Sequence, residues 1–213
     1  YNNNIIPYDR LTDSHWSQIK LECVNGELIG NTPVTHAVVE TTWANWKTMY
    51  PNSKITNTMT GISRSYGEYP YGSYRTNNDY LIFPLSVDDD RLPRKERVHG
   101  IIKNGLAKVY RFDDFANDVS LIEDEFEGAN IIVVGSANRN FAASFYTIED
   151  LTFTAAPNSG KVVLTDNEGN MWDVFGYAVE GPRTGDRLTP TTSMMGYWFS
   201  WGTFYPGCKI YGQ

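Results

Sequence analysis

HGIIKNGLAKVYRF, residues 99–112, decides the fold class. Two runs rich in β-branched and aromatic residues flank Asn104-Gly105. Asn-Gly supplies the two positive-φ residues of a type I′ turn, whose twist matches that of antiparallel strands. The segment therefore predicts a β-hairpin. The same reading extends downstream. ANIIVVGS (129–136), the turn ANRN and NFAASFYT (140–147) predict a second hairpin. LTFTAA (151–156), KVVLT (161–165) and MWDVFGYA (171–178) predict further strands, with Asn167-Glu168-Gly169-Asn170 turning the chain into the last of them.

Two segments break this β pattern. In TTWANWKTMYP (41–51), Trp43, Trp46 and Tyr50 stand at i, i+3 and i+7, one face of a helix. Thr41 or Thr42 can cap its start and Pro51 stops it. GYWFSWGTFYP (196–206) carries the same residues in the same order. An offset of 155 takes Trp43 to Trp198, Trp46 to Trp201, Tyr50 to Tyr205, Pro51 to Pro206 and Lys54-Ile55 to Lys209-Ile210. Upstream it lays CVNGELIG (23–30) over AVEGPRTG (178–185), with Gly26 on Gly181 and Gly30 on Gly185. Trp16 reaches Trp172 with a shift of one residue, and Asp9 reaches Asp166 with a shift of two.

This register predicts an internal duplication. The expected fold is mainly β, a β-rich α+β arrangement of two related units, each closed by a short aromatic helix whose tryptophans are core. The expected division is 1–56 for the later half of the first unit, 57–95 for a Tyr/Gly-rich loop and charged connector, and 96–213 for a second, complete unit. The unequal lengths place the rest of the first unit ahead of Tyr1. The opening YNNNIIPYDR, with neither signal peptide nor initiator methionine, likewise predicts a piece of a longer product.

Composition narrows the function. The chain has 213 residues, 41% hydrophobic, with 14 Tyr and 6 Trp. Tyr and Trp suit half-wet surfaces as well as cores. No apolar run approaches the roughly 18 residues of a membrane span. A formal net charge of −7, with no basic stripe, argues against nucleic acid as a partner. Cys23 and Cys208 have no zinc-ligand spacing, and a single disulfide and two buried free thiols both fit them.

Four groups of residues could carry chemistry. The loop at 57–80 sets Tyr66, Tyr69, Tyr71, Tyr74 and Tyr80 among small residues, with Arg64, Arg75 and Glu68. Tyr gives wide contact area at low entropic cost. The ligand-binding candidates are Tyr66, Tyr69, Tyr71, Tyr74 and Arg75, against the alternative of a loop pinned down by its own tyrosines. The two Trp helices could stack on a sugar or a base, but core packing is the stronger reading. Asp88, Asp89 and Asp90 lack the alternation of a calcium loop and read as a solvated turn paired with Arg91, Arg94, Lys95 and Arg97. No metal site and no cofactor are expected. Finally, Asp9, Arg10, His15, Ser17 and Gln18 in DRLTDSHWSQ are weak catalytic candidates, with His15 as base. No nucleophile elbow, P-loop or dinucleotide fingerprint is present.

The blocks YNNNIIPYDRLTDSHWSQ, TTWANW, DDDRLPRKERVHGI, NEGNMWDVFG, GPRTGDRL and GYWFSWGTFYP stand in family order. In them the chain resembles the bacterial family catalogued as domain of unknown function 3179, over the family's C-terminal two-thirds. The upstream Cys-Pro-Leu-Cys-Gly and Phe-Gly segments of that family lie outside these 213 residues, and neither Cys23 nor Cys208 matches them. The family-like positions are Asp9, Arg10, Trp16, Ser17, Gln18, Thr42, Trp43, Trp46, Arg91, Lys95 and Glu96. The resemblance implies an extracytoplasmic setting, periplasmic or at the cell surface, with a lipid anchor on the segment ahead of Tyr1 among the options. That setting favours a Cys23–Cys208 disulfide.

The expected function is a non-enzymatic exported module. It would bind a small molecule, glycan or protein through residues 61–80 and a groove between the units. The alternatives are a hydrolase built on Asp9–Gln18 and a structural subunit of an envelope assembly.

Overall fold

A computed structural model describes residues 1–156 and 160–213. In chain order, three short strands come first: β1 (Tyr8–Asp9), β2 (Ser14–Ser17) and β3 (Glu22–Asn25). Helix α1 (Trp43–Met49) follows, and then a long irregular segment with one 3-10 turn at Gly72–Arg75. The hairpin β4 (Arg97–Lys103) and β5 (Leu106–Arg111) opens a run of strands: β6 (Ser120–Phe126), β7 (Ala129–Ser136), β8 (Phe141–Tyr146), β9 (Phe153–Ala155), β10 (Val162–Asp166), β11 (Met171–Asp173) and β12 (Ala178–Glu180). The chain closes with β13 (Ser193–Tyr197), α2 (Trp198–Phe204) and β14 (Lys209–Ile210). The fold is mainly β, in four sheets: β1-β2-β3, β6-β7-β8, β9-β10-β11-β12 and β13-β4-β5-β14.

The deciding hairpin forms as its sequence predicts. Asn104 and Gly105 both take positive φ, +53° and +76°, and β4 pairs with β5 from Val98–Arg111 to Lys103–Leu106. The second hairpin is β7–β8, and a third strand, β6, joins it through a turn with positive φ at Glu127 and Gly128. SLIEDEF disguises β6, because charge fills its outward positions. One predicted strand is broken. MWDVFGYA turns after Asp173, whose Oδ1 accepts the N–H groups of Phe175 and Tyr177. Gly176 there has φ +80°, and a Cβ on it would lie 2.6 Å from the Phe145 ring. The chain must bend at that point, so β11 and β12 are separate strands.

Both aromatic helices form, seven residues each and 155 apart. The cap residues after them, Tyr50 (φ −135°, ψ 75°) and Tyr205 (φ −126°, ψ 76°), share one conformation. The upstream segments match in equal detail. Cys23 accepts from Gly30 N–H at 2.9 Å and Ala178 from Gly185 N–H at 2.9 Å. Ser14 Oγ accepts from Leu28 N–H, and Asn170 Oδ1 accepts from Arg183 N–H. Gly26 and Gly181 have φ +98° and +103°, and each lies against the preceding turn so closely that a Cβ would overlap it. The β2–β3 and β11–β12 pairings slip register at the same place, before Trp16 and before Trp172.

The helices are exchanged between these segments. Tyr50 at the end of α1 donates to Asp173 Oδ2 after β11, 3.0 Å away, and Trp46 meets Phe175 edge-on. Tyr205 at the end of α2 donates to the Ile19 carbonyl after β2, 2.8 Å away, and Ile19 joins the core around Trp198 and Trp201. Each helix thus docks on the meander remote from it in sequence. Three apolar clusters result: α2 on β4–β5, the β6-β7-β8 sheet with Ile101 of β4 and Tyr110 of β5, and Trp172 with Phe141, Phe145 and Met49 of α1.

Candidate functional site

The Tyr-rich segment lies over α2, held by the first residues of the chain. Asn2 Oδ1 accepts from Ser86 N–H at 2.8 Å. Asn3 Oδ1 accepts from the N–H groups of Ile82 and Phe83, and its amide donates to the Tyr74 hydroxyl at 2.6 Å. Asn4 Oδ1 accepts from Ser200 Oγ on α2 at 2.9 Å. Three consecutive asparagines thus clamp a long loop to a helix. Short polar side chains that bond backbone are suited to this. Sequence reasoning passed over NNN, because the partners lie some eighty and some two hundred residues away.

Within the clamp, the rings form a chain. Tyr69 meets Tyr71 at 5.6 Å between centroids, Tyr71 meets Tyr74 at 6.4 Å, and Tyr74 meets both Tyr80 and Tyr197. Tyr197 stacks in turn on Phe199. Arg75 lies 3.9 Å over the Tyr69 ring. Tyr66 stands apart, bonded to Thr60 and the Ile62 carbonyl. Tyr74 is half-buried, whereas Tyr66, Tyr71 and Tyr80 are exposed, as are Met59, Ile62, Ile82 and Phe83 beside them.

Lys95 lies under this chain. Its Nζ sits 2.9 Å from the Tyr74 ring centroid, faces Tyr197 and Phe199, and donates to the Tyr74 carbonyl at 3.0 Å. Its backbone N–H bonds Asn78 Oδ1. Burial among rings pushes its ammonium down to about 8. The neighbouring charges pair off. Arg94 takes Asp88, and Arg91 holds Asp89 through both nitrogens of its fork and donates to the Cys208 carbonyl. Glu96 pairs with Arg111, and Arg97 pairs with Glu40. Among the described residues, no group of three or more His, Cys, Asp or Glu could hold a metal ion.

The Asp9–Gln18 candidates are placed as follows. Asp9 accepts from Leu11 N–H and the Thr12 hydroxyl, which holds its carboxyl below the usual range. It closes the β1–β2 turn as Asp166 closes its counterpart, where Asp166 accepts from Glu168 N–H. Arg10 and Gln18 are exposed. His15 leans on the Tyr8 ring at 5.0 Å, and its Nδ1 is buried without a hydrogen-bond partner among the described residues. Ser17 is buried and its Oγ accepts Lys20 N–H. No hydrogen bond joins His15 to Ser17 among the described residues. A cleft of about 320 Å³ does open between this meander and α2, lined by Tyr1, Asn2, Ser17, Lys20, Thr203 and Phe204.

Cys23 and Cys208 are free thiols, which corrects the disulfide that an exported setting favoured. Each is satisfied where it stands. Cys23 donates to the Asn25 carbonyl and Cys208 to that of Lys209, and burial pushes the Cys208 thiol up to about 12.

One buried polar cluster has no sequence signature. His99, in the middle of β4, shares a 2.8 Å hydrogen bond with Ser144 of β8, and Ser144 also bonds Thr191 and Ser193. Burial pushes the imidazole down to about 4, so it is neutral at pH 7. Its Nδ1 has no partner among the described residues, and a cavity of about 70 Å³ lies beside the cluster. Ser144 stands 45 or more residues from each of its partners, so no spacing reveals the cluster.

No curated protein and no solved structure matches the chain. A family model described as a protein of unknown function (DUF3179) matches residues 1–208, and the chain belongs to that family.

Proposed function

We propose that the chain is a binding module whose aromatic strip, residues 59–83, docks a protein partner. The observation that carries this reading is the exposure of Tyr66, Tyr71 and Tyr80 beside Met59, Ile62 and Phe83, on a loop held by Asn2 and Asn3 at Tyr74 and at its 82–86 end. A surface of tyrosines and apolar side chains matches the composition that anchors protein interfaces. Its breadth suits a protein partner better than a small molecule. The extracytoplasmic setting implied by the family resemblance belongs to this reading. So does the origin of the two halves as copies of one unit, which the matched turns, bulges and helices support. The hydrolase reading has less support, because Asp9 and Ser17 are engaged in turns.

The test places a photo-crosslinking amino acid at Tyr71, and separately at the exposed Lys161 on the opposite half, in the native host. A defined protein adduct at position 71 and none at 161 is expected. Tyr66→Ala with Tyr80→Ala should weaken that capture by tenfold or more, on the order of 1.4 kcal/mol or above. Adducts spread evenly over both positions, or capture indifferent to the tyrosines, would overturn the reading.

A further inference from the structure

α2 is sandwiched in a frame that α1 lacks. The segment β13-α2-β14 is continuous in sequence, yet β13 and β14 do not touch. Between them lie β4 and β5, in the order β13-β4-β5-β14. A gap two strands wide is therefore filled by one hairpin. That hairpin is cut to receive the helix: a Cβ on Gly100 of β4 would stand 2.2 Å from the Trp201 ring. Val98 and Val109 complete the seat and are fully buried.

The counterpart frame runs from Val38 to Ile55, and its middle is open. Residues 38–42 and 54–55, which match β13 and β14, form no strand. Ile55 is 64% exposed where Ile210 is 3% exposed. Trp43 is 44% exposed where Trp198 is fully buried. The inward face of α1 is nevertheless complete, with Asn45 and Met49 buried and Tyr50 on Asp173. Two faces are bare: that of Trp43, which β4–β5 covers in the other half, and that of Ala44, Lys47 and Thr48, whose counterparts Phe199, Gly202 and Thr203 lie under the connector at Val87, Asp89 and Lys95. An amphipathic helix with two unpaired flanks and an uncovered tryptophan is an incomplete layer.

We infer that the Trp43 face is the seat of a β-hairpin of the β4–β5 kind, supplied by the same polypeptide ahead of Tyr1. The inference rests on the two-unit reading and is independent of the aromatic strip. The offset of 155 that relates the two helices puts the missing strands about 45 to 60 residues ahead of Tyr1. The hairpin pairs one strand with residues 38–42 and the other with 54–55, and it carries a small residue under Trp46. One detail differs from the α2 seat. Thr41 stands where Gly196 does, and Trp46 Nε1 donates to Ser53 Oγ at 2.8 Å, while Trp201 Nε1 has no partner among the described residues. The hairpin thus meets a ring already fixed from one side.

The test compares the 213-residue chain with the natural polypeptide carrying its own residues ahead of Tyr1. Amide exchange is read at 38–42 and 54–55, and acrylamide quenching at Trp43, assigned with Trp43→Phe. In the longer chain, exchange there should slow about tenfold or more and Trp43 should become as shielded as Trp198, with no change around α2. Trp46→Ala should lower the Tm of the longer chain several degrees more than that of the 213-residue chain. Equal exchange and equal Tm losses in both chains would overturn the inference. So would protection that grows with concentration in the 213-residue chain alone, which would make the cover a second copy. An open reading frame with no such preceding segment would overturn it as well.

Discussion

α1 and α2 are both seven-residue helices, each ended by a tyrosine in the same conformation, but only α2 is flanked by strands. One is buried on all sides and the other on one. The difference separates two things that usually travel together. Local sequence sets the helix, through the aromatic spacing and the proline that follows each cap. Tertiary cover sets the burial, and α1 stays helical with far less of it than α2. The largest consequence concerns the tryptophans. Trp201 is fully buried against Gly100, whereas Trp46 touches Tyr50 and Phe175 on one side only. Trp201→Ala should therefore cost about 3–5 kcal/mol, enough to unfold a marginal domain, and Trp46→Ala on the order of 1 kcal/mol. Urea unfolding of both variants measures this. Equal losses would mean that α1 is as fully packed as α2 and would break the comparison.

Legibility in the sequence follows the same line. The Asn104-Gly105 hairpin and both helices could be read because their signals are local. The offset of 155 could be read because residues held by close backbone contact, such as Gly26 and Gly181, cannot be exchanged for others without strain. The exchange of helices between halves could not be read, since Tyr50 and Asp173 stand far apart in the chain. Nor could the asparagine clamp or the His99 cluster, whose members meet only after folding. The aromatic strip lies between. Its composition marked it, but only the structure distinguishes exposed Tyr71 from half-buried Tyr74 and places Lys95 beneath them.

The His99 cluster sharpens the comparison from the side of the cover. It lies on β4, the strand that seats α2, and α1 has no such strand. The imidazole titrates near 6.5 when unfolded and near 4 when folded, so between these values the unfolded chain binds the extra proton. Stability is then fully present above about 6.5 and falls as pH drops toward 4, by on the order of 3 kcal/mol. His99→Gln, which keeps a partner for Ser144, should flatten that part of the profile. Amide exchange at pH 5 should rise first around β4 and α2, and not at α1. A pH profile unchanged by the substitution would show that carboxylates elsewhere dominate the acid response.

The smallest effect lies at the helix starts. Thr42 Oγ1 accepts Asn45 N–H at the head of α1, at 3.2 Å, whereas Tyr197 gives α2 no side-chain cap. The contrast has a physical reason. The first two N–H groups of α2 find partners in the cover, since Trp198 N–H donates to the Glu96 carbonyl and Phe199 N–H to that of Arg94. In α1 the bond to its own threonine satisfies the third N–H, that of Asn45. Thr42→Ala should thus cost about 1 kcal/mol and fray the first turn of α1, visible as faster exchange at Asn45 and Trp46. Tyr197→Thr should gain no stability, because it could cap only the Ser200 N–H and would lose the stack of Tyr197 on Phe199. A stabilising Tyr197→Thr would mean that the cap outweighs that stack.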